Sequence, residues 1–253
     1  MPNLLLQNHF LQKINPESLG YVCPNGQINF QTEKAALSYT KNTILKALKS
    51  GKEREVITKD ASVLKIFDGN EKSVTADFSE FPDIKGCIQH HGHPSKKGYY
   101  AYPFSRCDVD VFHMLNKVLG YKKSVVYNSF GEECTMVSSK KPFLCNWKIS
   151  PDFRRKLYYL NPKTFLNFVS LKNFHEKFSK EHSKDYYLKT LPQRCSKEEI
   201  NFIASKKENK EKLVPWLEDK INSLLFHDEL KKYTPKLNIK YETNFSHLKT
   251  DLK

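Results

Sequence analysis

CIQHHGHPSKKGYYAYPFSRCD, Cys87 to Asp108, couples a short apolar-rich run to the opening of an amphipathic one. Gly86–His91 is expected to be extended, which sends His91 and His93, two apart, to the same side. The apolar period of Val111, Phe112, Leu115, Val118 and Leu119 predicts a helix over Arg106–Leu119. Ser105 is its N-cap, with an acid three residues on. Asp108 and Asp110 stand near the helix start, about 200° apart around its axis, so only one can face the strand. Two imidazoles and one helix-borne carboxylate make three ligands. A fourth position then stays free for water, as a catalytic zinc requires, and water bound there becomes a usable nucleophile near neutral pH. His90 should point the opposite way, into packing or an outer shell, and His113 lies too far along the helix to join. Taken singly, the pieces have ordinary accounts: His-x-His as a surface pair, Ser-x-x-Asp as a helix cap.

Working outward, Glu55–Thr58 and Val63–Phe67 are expected to be two short strands around a polar turn at Lys59–Ser62. Glu53 and Glu55, two apart, face the same way if both lie on the first strand. Thr32 can cap a helix running to Ser50, with Leu37, Ile44 and Leu48 on one stripe and Gly51 as its stop. Asp68-Gly69-Asn70 is a turn, and Ser73–Lys85 a loop. Gly86–His90 is the strand leading to the histidines. Ser124–Asn128 and Cys134–Ser139 form a further hairpin around Phe130-Gly131-Glu132-Glu133. Residues 1–31 are an irregular lead-in with a short strand near Gln27–Phe30.

His91-x-His93-Pro94 followed at short range by Pro103-Phe104-Ser105-x-x-Asp108 resembles the zinc signature of the JAMM (JAB1/MPN) metalloprotease family, in particular its bacterial and phage-type branch. The resemblance covers roughly residues 53–139. It implies an α+β fold: a JAMM/cytidine-deaminase-like core, a mixed sheet flanked by helices. It further implies Zn²⁺ held by His91, His93 and Asp108. Glu53 would be the general base, since the family glutamate enters its strand at the beginning, with Glu55 the fallback; Ser105 would support the oxyanion. One departure stands out: eleven residues separate His93 from Ser105, against about seven in the family pattern. The longer loop, Ser95–Tyr102, carries two lysines and three aromatics, and either covers the site or spoils its geometry.

The 253 residues suffice for one large domain or two small ones. Region 32–145 is expected to be the metalloprotease core, and 146–253 a basic, mainly helical appendage. There Ser150-Pro151, Asn161-Pro162 and Pro215 open helices, and Ser196-x-x-Glu199 is a capping box. Phe165, Phe168, Val169 and Phe178 form an apolar stripe, and a polar tail begins near Thr234. The net charge is +14, and residues from Asn146 onward carry 23 Lys and Arg against 14 Asp and Glu. Charge speaks of partners and not of fold; here it means either a solvated lysine face or a surface for nucleic acid or an acidic partner. The six cysteines include no CxxC pair, which predicts free thiols in a reducing compartment. Cys87 and Cys107 flank the histidines, and a thiolate replacing one ligand is the alternative donor set. No apolar run is long enough for a membrane span. Leu4-Leu5-Leu6 is too short for a signal-peptide core. The expectation is a cytoplasmic protein, with delivery into a host cell as an effector a further option.

Three functions follow in order. The first is a zinc (iso)peptidase acting on a protein substrate, ubiquitin or a ubiquitin-like protein among them. The second is an inactive binding or scaffold protein on the same fold. The third is a nucleic-acid-associated protein using its basic C-terminal region.

Overall fold

The computed structural model describes residues 20–23, 26–74, 85–94, 102–138, 183–206 and 210–248. The lead-in up to residue 19 and most of the Ser73–Lys85 and Ser95–Tyr102 loops lie outside the described residues. So do the helices expected after Ser150 and Asn161, with the stripe from Phe165 to Phe178.

The protein is α+β, built on one mixed sheet of eight strands in the order β1-β2-β4-β3-β5-β6-β7-β8. In chain order these are β1 (Tyr21–Val22), β2 (Ile28–Asn29), β3 (Arg54–Lys59), β4 (Ser62–Asp68), β5 (Ile88–Gly92), β6 (Lys123–Tyr127), β7 (Glu133–Ser138) and β8 (Ile239–Thr243). Neighbours are antiparallel except β5 and β6, where His91 lies beside Val126 in a parallel pair. Parallel strands need a crossover, and α2 (Arg106–Leu119) supplies it.

The strand period of two divides the sheet into two apolar faces. Val56, Val63, Ile88 and Val125 pack with Ile44 and Leu48 of α1 (Glu33–Lys49). Ile57, Val126, Cys134 and Met136 face Phe112 and Leu115 of α2 and the C-terminal helices. Burying such a side chain contributes about 1.5–3 kcal/mol, so both layers are held chiefly by this apolar area. Helix α1 begins at its Thr32 cap, whose hydroxyl accepts from Ala35 N–H at 3.2 Å. It ends at Ser50, where Gly51 takes φ +72°. Its buried stripe runs through Ala36, Thr40, Ile44 and Leu48, with Leu37 half-buried beside it. A Cβ on Gly92 would stand 2.7 Å from Ile44 Cγ2 and 2.8 Å from Leu48 Cδ2. The bare α-carbon lets α1 sit directly on the strand that carries the histidines.

The strand expected over Gly86–His90 is observed at Ile88–Gly92. Gly86, at φ +80°, still belongs to the turn. Beyond Gly92, His93 N–H continues the parallel ladder by donating to Tyr127 O at 2.9 Å.

The C-terminal region differs more from expectation. It holds α3 (Lys184–Thr190), α4 (Lys197–Ser205) and α5 (Lys210–Tyr233). Pro215 lies inside α5 and does not open it. The polar tail expected from Thr234 is instead a 3₁₀ turn and then β8, paired antiparallel to β7 with Thr135 opposite Glu242. Phe245 and Leu248 enter the same core cluster as Ile57 and Val126. The described C-terminal residues thus share a sheet and a core with the 32–145 region. Ion pairs tie the helices together. Arg194 donates to both Asp228 oxygens at 2.6 and 2.9 Å. Fully buried Lys220 donates to Glu199 Oε1 at 2.9 Å and His247 O at 2.6 Å. Removing one partner of such a buried pair typically costs about 3–5 kcal/mol, because the other charge is left uncompensated. Among the described residues, no helix is long and apolar enough to cross a membrane.

Candidate metal centre

The carboxyl ends of β5 and β6 and the N-terminus of α2 meet at one point, the usual place for a site in a sheet with a parallel crossover. Strand pairing aligns the groups there. Glu55 lies directly opposite His91. One same-face step further, Glu53 precedes β3 by one residue and prolongs the strand. Its N–H donates to Asn70 O at 2.8 Å, and its carbonyl accepts from Gly69 N–H at 3.0 Å. Glu53 was expected on the strand itself; it enters just before it.

Ser105 and Asp108 form the capping box expected from the sequence. Asp108 N–H donates to Ser105 Oγ at 3.2 Å, and Ser105 N–H to Asp108 Oδ2 at 2.6 Å. The cap holds the Asp108 carboxylate at the positive end of the helix dipole and turns it toward the histidines. The serine accepts in this cap, so its own O–H is left for another acceptor.

His91 Nε2 and His93 Nε2 are 3.1 Å apart, with Asp108 Oδ1 3.4 Å from the first and Oδ2 3.4 Å from the second. Asp108 thus reaches each imidazole with a different carboxylate oxygen. Among the described residues, these three make the one group of ligand-type side chains that could hold a metal, their ligand atoms all within 4.8 Å of one another. Asp108 belongs to this group and neither Cys87 nor His113 does, while the Asp110 and Cys107 side chains lie outside the described residues.

His93 Nδ1 lies 3.1 Å from Tyr102 O. Only an N–H can meet a carbonyl there, so neutral His93 carries its proton on Nδ1 and turns the Nε2 lone pair inward. His91, 3% exposed, has no hydrogen-bond partner for Nδ1 among the described residues. Its orientation is therefore left to its β5 anchor and to whatever Nε2 binds. Burial alone would lower the pKa of His93, but the hydrogen bond and charge of Asp108, helped by Glu53, push it up to about 9. Burial opposes ionisation of Asp108 too, yet the two histidines hold it well below the usual carboxylate range. Without a metal, the pocket keeps a positive charge where a cation would sit.

The two glutamates differ. Burial raises the pKa of Glu53, while the charges of His93 and His91 and a hydrogen bond from Val74 N–H pull it back. Burial pushes Glu55, 4% exposed, up to about 8, against the Gln89 hydrogen bond that lowers it. Gln89 Nε2 donates to Glu55 Oε1 at 3.0 Å, and Ser124 Oγ to Gln89 Oε1 at 3.1 Å. Relative to its ordinary 4.5, a folded-state value of about 8 means the folded protein binds more protons between those limits. Stability from this group is therefore full below pH 4.5 and is lost as pH rises through 8. The change is on the order of 4–5 kcal/mol over that window. Glu55→Gln is expected to match the parent in denaturant melts of chelated protein near pH 4. It should exceed the parent by several kcal/mol at pH 8, and parallel curves would refute the buried carboxyl.

On the opposite face, His90 bonds Thr58 Oγ1 at 3.0 Å and Tyr127 OH at 3.2 Å. Burial drives its pKa down to about 3. It is a neutral packing residue, as its alternation with His91 requires.

His91, His93, Ser105, Asp108, Glu53, Glu55 and Gln89 line a cleft of about 500 Å³, whose walls also include Glu71, Lys72, Val111, Tyr102, Asp219 and Phe226. The last three were not anticipated as site residues. Tyr102 ends the long loop, and Asp219 and Phe226 come from α5, whose sequence carries no mark of the site. A second cleft of similar volume opens at the β7–β8 edge, beside Lys123, Glu133, His227 and Lys231. It contains no comparable donor group among the described residues. Comparison with known proteins adds no relative: no family profile, no curated protein and no solved structure matches the chain.

Proposed function

We propose that the chain is a zinc-dependent peptidase or isopeptidase of JAMM type, on the JAMM version of the α+β fold. The reading is carried by one observation: two imidazoles and a carboxylate converge, their ligand atoms within 4.8 Å of one another, in a cleft that also holds Glu53. His91, His93 and Asp108 would hold the ion. Zinc, when bound, supplies a Lewis acid that acidifies water and polarises a carbonyl. Glu53 takes the proton of the attacking water and returns it to the leaving amine. The Ser105 O–H, not donated in the helix cap, stabilises the oxyanion; removing a donor of this kind typically costs about 3–4 kcal/mol. Glu55 stays protonated at neutral pH and braces β3 against β5 through Gln89. The substrate is a protein, with conjugates of ubiquitin or a ubiquitin-like protein as the first class to assay.

The test is metal content measured alongside cleavage of ubiquitin chains and ubiquitin-like fusions. Protein prepared with zinc should hold one ion per chain, cleave, and lose both properties on chelation. Folded protein that takes up no zinc would overturn the reading. Stoichiometric zinc with no cleavage across these substrates would favour the inactive scaffold instead.

A further inference from the structure

We infer that Tyr102 is a positioning residue for His93, and that through it the C-terminal helix α5 becomes a working part of the metal centre. The inference rests on the metal reading above. His93 lies past the end of β5, and the Tyr102 carbonyl oxygen, 3.1 Å from Nδ1, fixes which ring nitrogen is left to bind a metal. An outer-shell acceptor of this kind orients the ring and raises its basicity as a ligand. Its worth depends on how firmly that carbonyl is held. Tyr102 belongs to no helix or strand, so no backbone ladder holds it.

Its side chain provides the anchor. The hydroxyl donates to Asp219 Oδ1 at 3.2 Å and is also hydrogen-bonded to the Asn222 side chain. The ring meets Phe226 edge-on, with centroids 5.5 Å apart. Asp219, Asn222 and Phe226 are spaced i, i+3, i+7 and so form one stripe along α5. Helix α5 is itself fixed by buried Ile221 and Leu224 and by the Arg194–Asp228 pair. One residue thus clasps the C-terminal helix with its side chain and a metal-ligating imidazole with its main chain.

Coupling of this kind is reciprocal: what loosens the clasp weakens zinc binding, and zinc binding tightens the clasp. Zinc dissociation constants from chelator competition on the full chain test it, using Tyr102→Phe, Asp219→Ala and, as a control, Tyr187→Phe. The control removes a similar bond, Tyr187 O–H to Asp228 Oδ2 at 3.0 Å, elsewhere on the same helix. Tyr102→Phe and Asp219→Ala are expected to bind zinc about tenfold more weakly, the low end for outer-shell losses at metal sites. Their cobalt(II) spectra should shift, while Tyr187→Phe keeps the parent affinity and spectrum. In the parent, zinc should slow amide exchange around Asp219–Phe226, and this protection should shrink in Tyr102→Phe. Parent-like zinc affinity in both Tyr102→Phe and Asp219→Ala overturns the inference, as does an equal loss in all three variants. A folded parent that binds no zinc removes the metal reading first, and the clasp with it.

Discussion

Glu53→Gln is expected to retain zinc and to lose hydrolysis by about 10²- to 10⁴-fold, the range for removing a positioned general base. The side chain is nearly isosteric, and the main-chain bonds of Glu53 to Asn70 and Gly69 do not involve it. The loss should fall on kcat with KM little changed, since the proton is taken in the transition state and not in substrate binding. Glu53 is preferred over Glu55 because its carboxylate feels both histidines and is only half-buried. Glu55 is spent on Gln89 and stays protonated to about pH 8. Assaying Glu53→Gln and Glu55→Gln side by side, with zinc measured in each, decides the assignment. If Glu55→Gln alone loses turnover, the roles are exchanged; if neither does, no carboxylate base operates here.

Asp108→Ala should have the largest effect on the metal itself. One side chain is the capping-box partner of Ser105 and, on the proposed reading, a ligand; two substitutions separate the two jobs. Alanine removes both, so zinc affinity should fall well beyond the ~10- to 100-fold typical of losing an outer-shell group. Helix stability should drop by roughly 1 kcal/mol, as for a lost cap. Asp108→Asn keeps an oxygen for Ser105 N–H but gives up the anion, so it should keep the helix cap while losing most of the zinc affinity. Equal zinc binding in parent and Asp108→Ala would show that the carboxylate is a cap and nothing more.

The parts of the fold legible in the sequence are those with punctuation. Ser105 opens α2, and Thr32 and Gly51 bracket α1, each at a position the backbone demands; the Gly120 cap of α2 was not singled out. Alternation placed His91 and His90 on opposite faces without any knowledge of neighbours. Strand β8 was missed because its alternation spans only five residues amid polar sequence: Ile239, Tyr241 and Thr243 turn inward between solvent-facing Lys240 and Glu242. Such a strand exists only because β7 offers an edge, which no local pattern encodes. Pro215 misled for a related reason, since tertiary packing of α5 outweighs one lost helix bond. Glu53 and Glu55 stayed unresolved because both face one way, and only burial tells them apart. Tyr102 and Asp219 meet across 117 positions of sequence, beyond the reach of any spacing rule.

Strand β8 also sets an order of events at birth. Its partner β7 is finished at Ser138, yet Ile239–Thr243 emerges from the ribosome only about a hundred residues later, roughly 5–20 s at ordinary translation rates. For that interval the nascent sheet has an unpaired margin open to stray strands. Helix α5, with the clasp on Tyr102, arrives almost as late. A newborn chain therefore carries both histidines and Asp108 long before α5 and β8, which complete their surroundings, have been made.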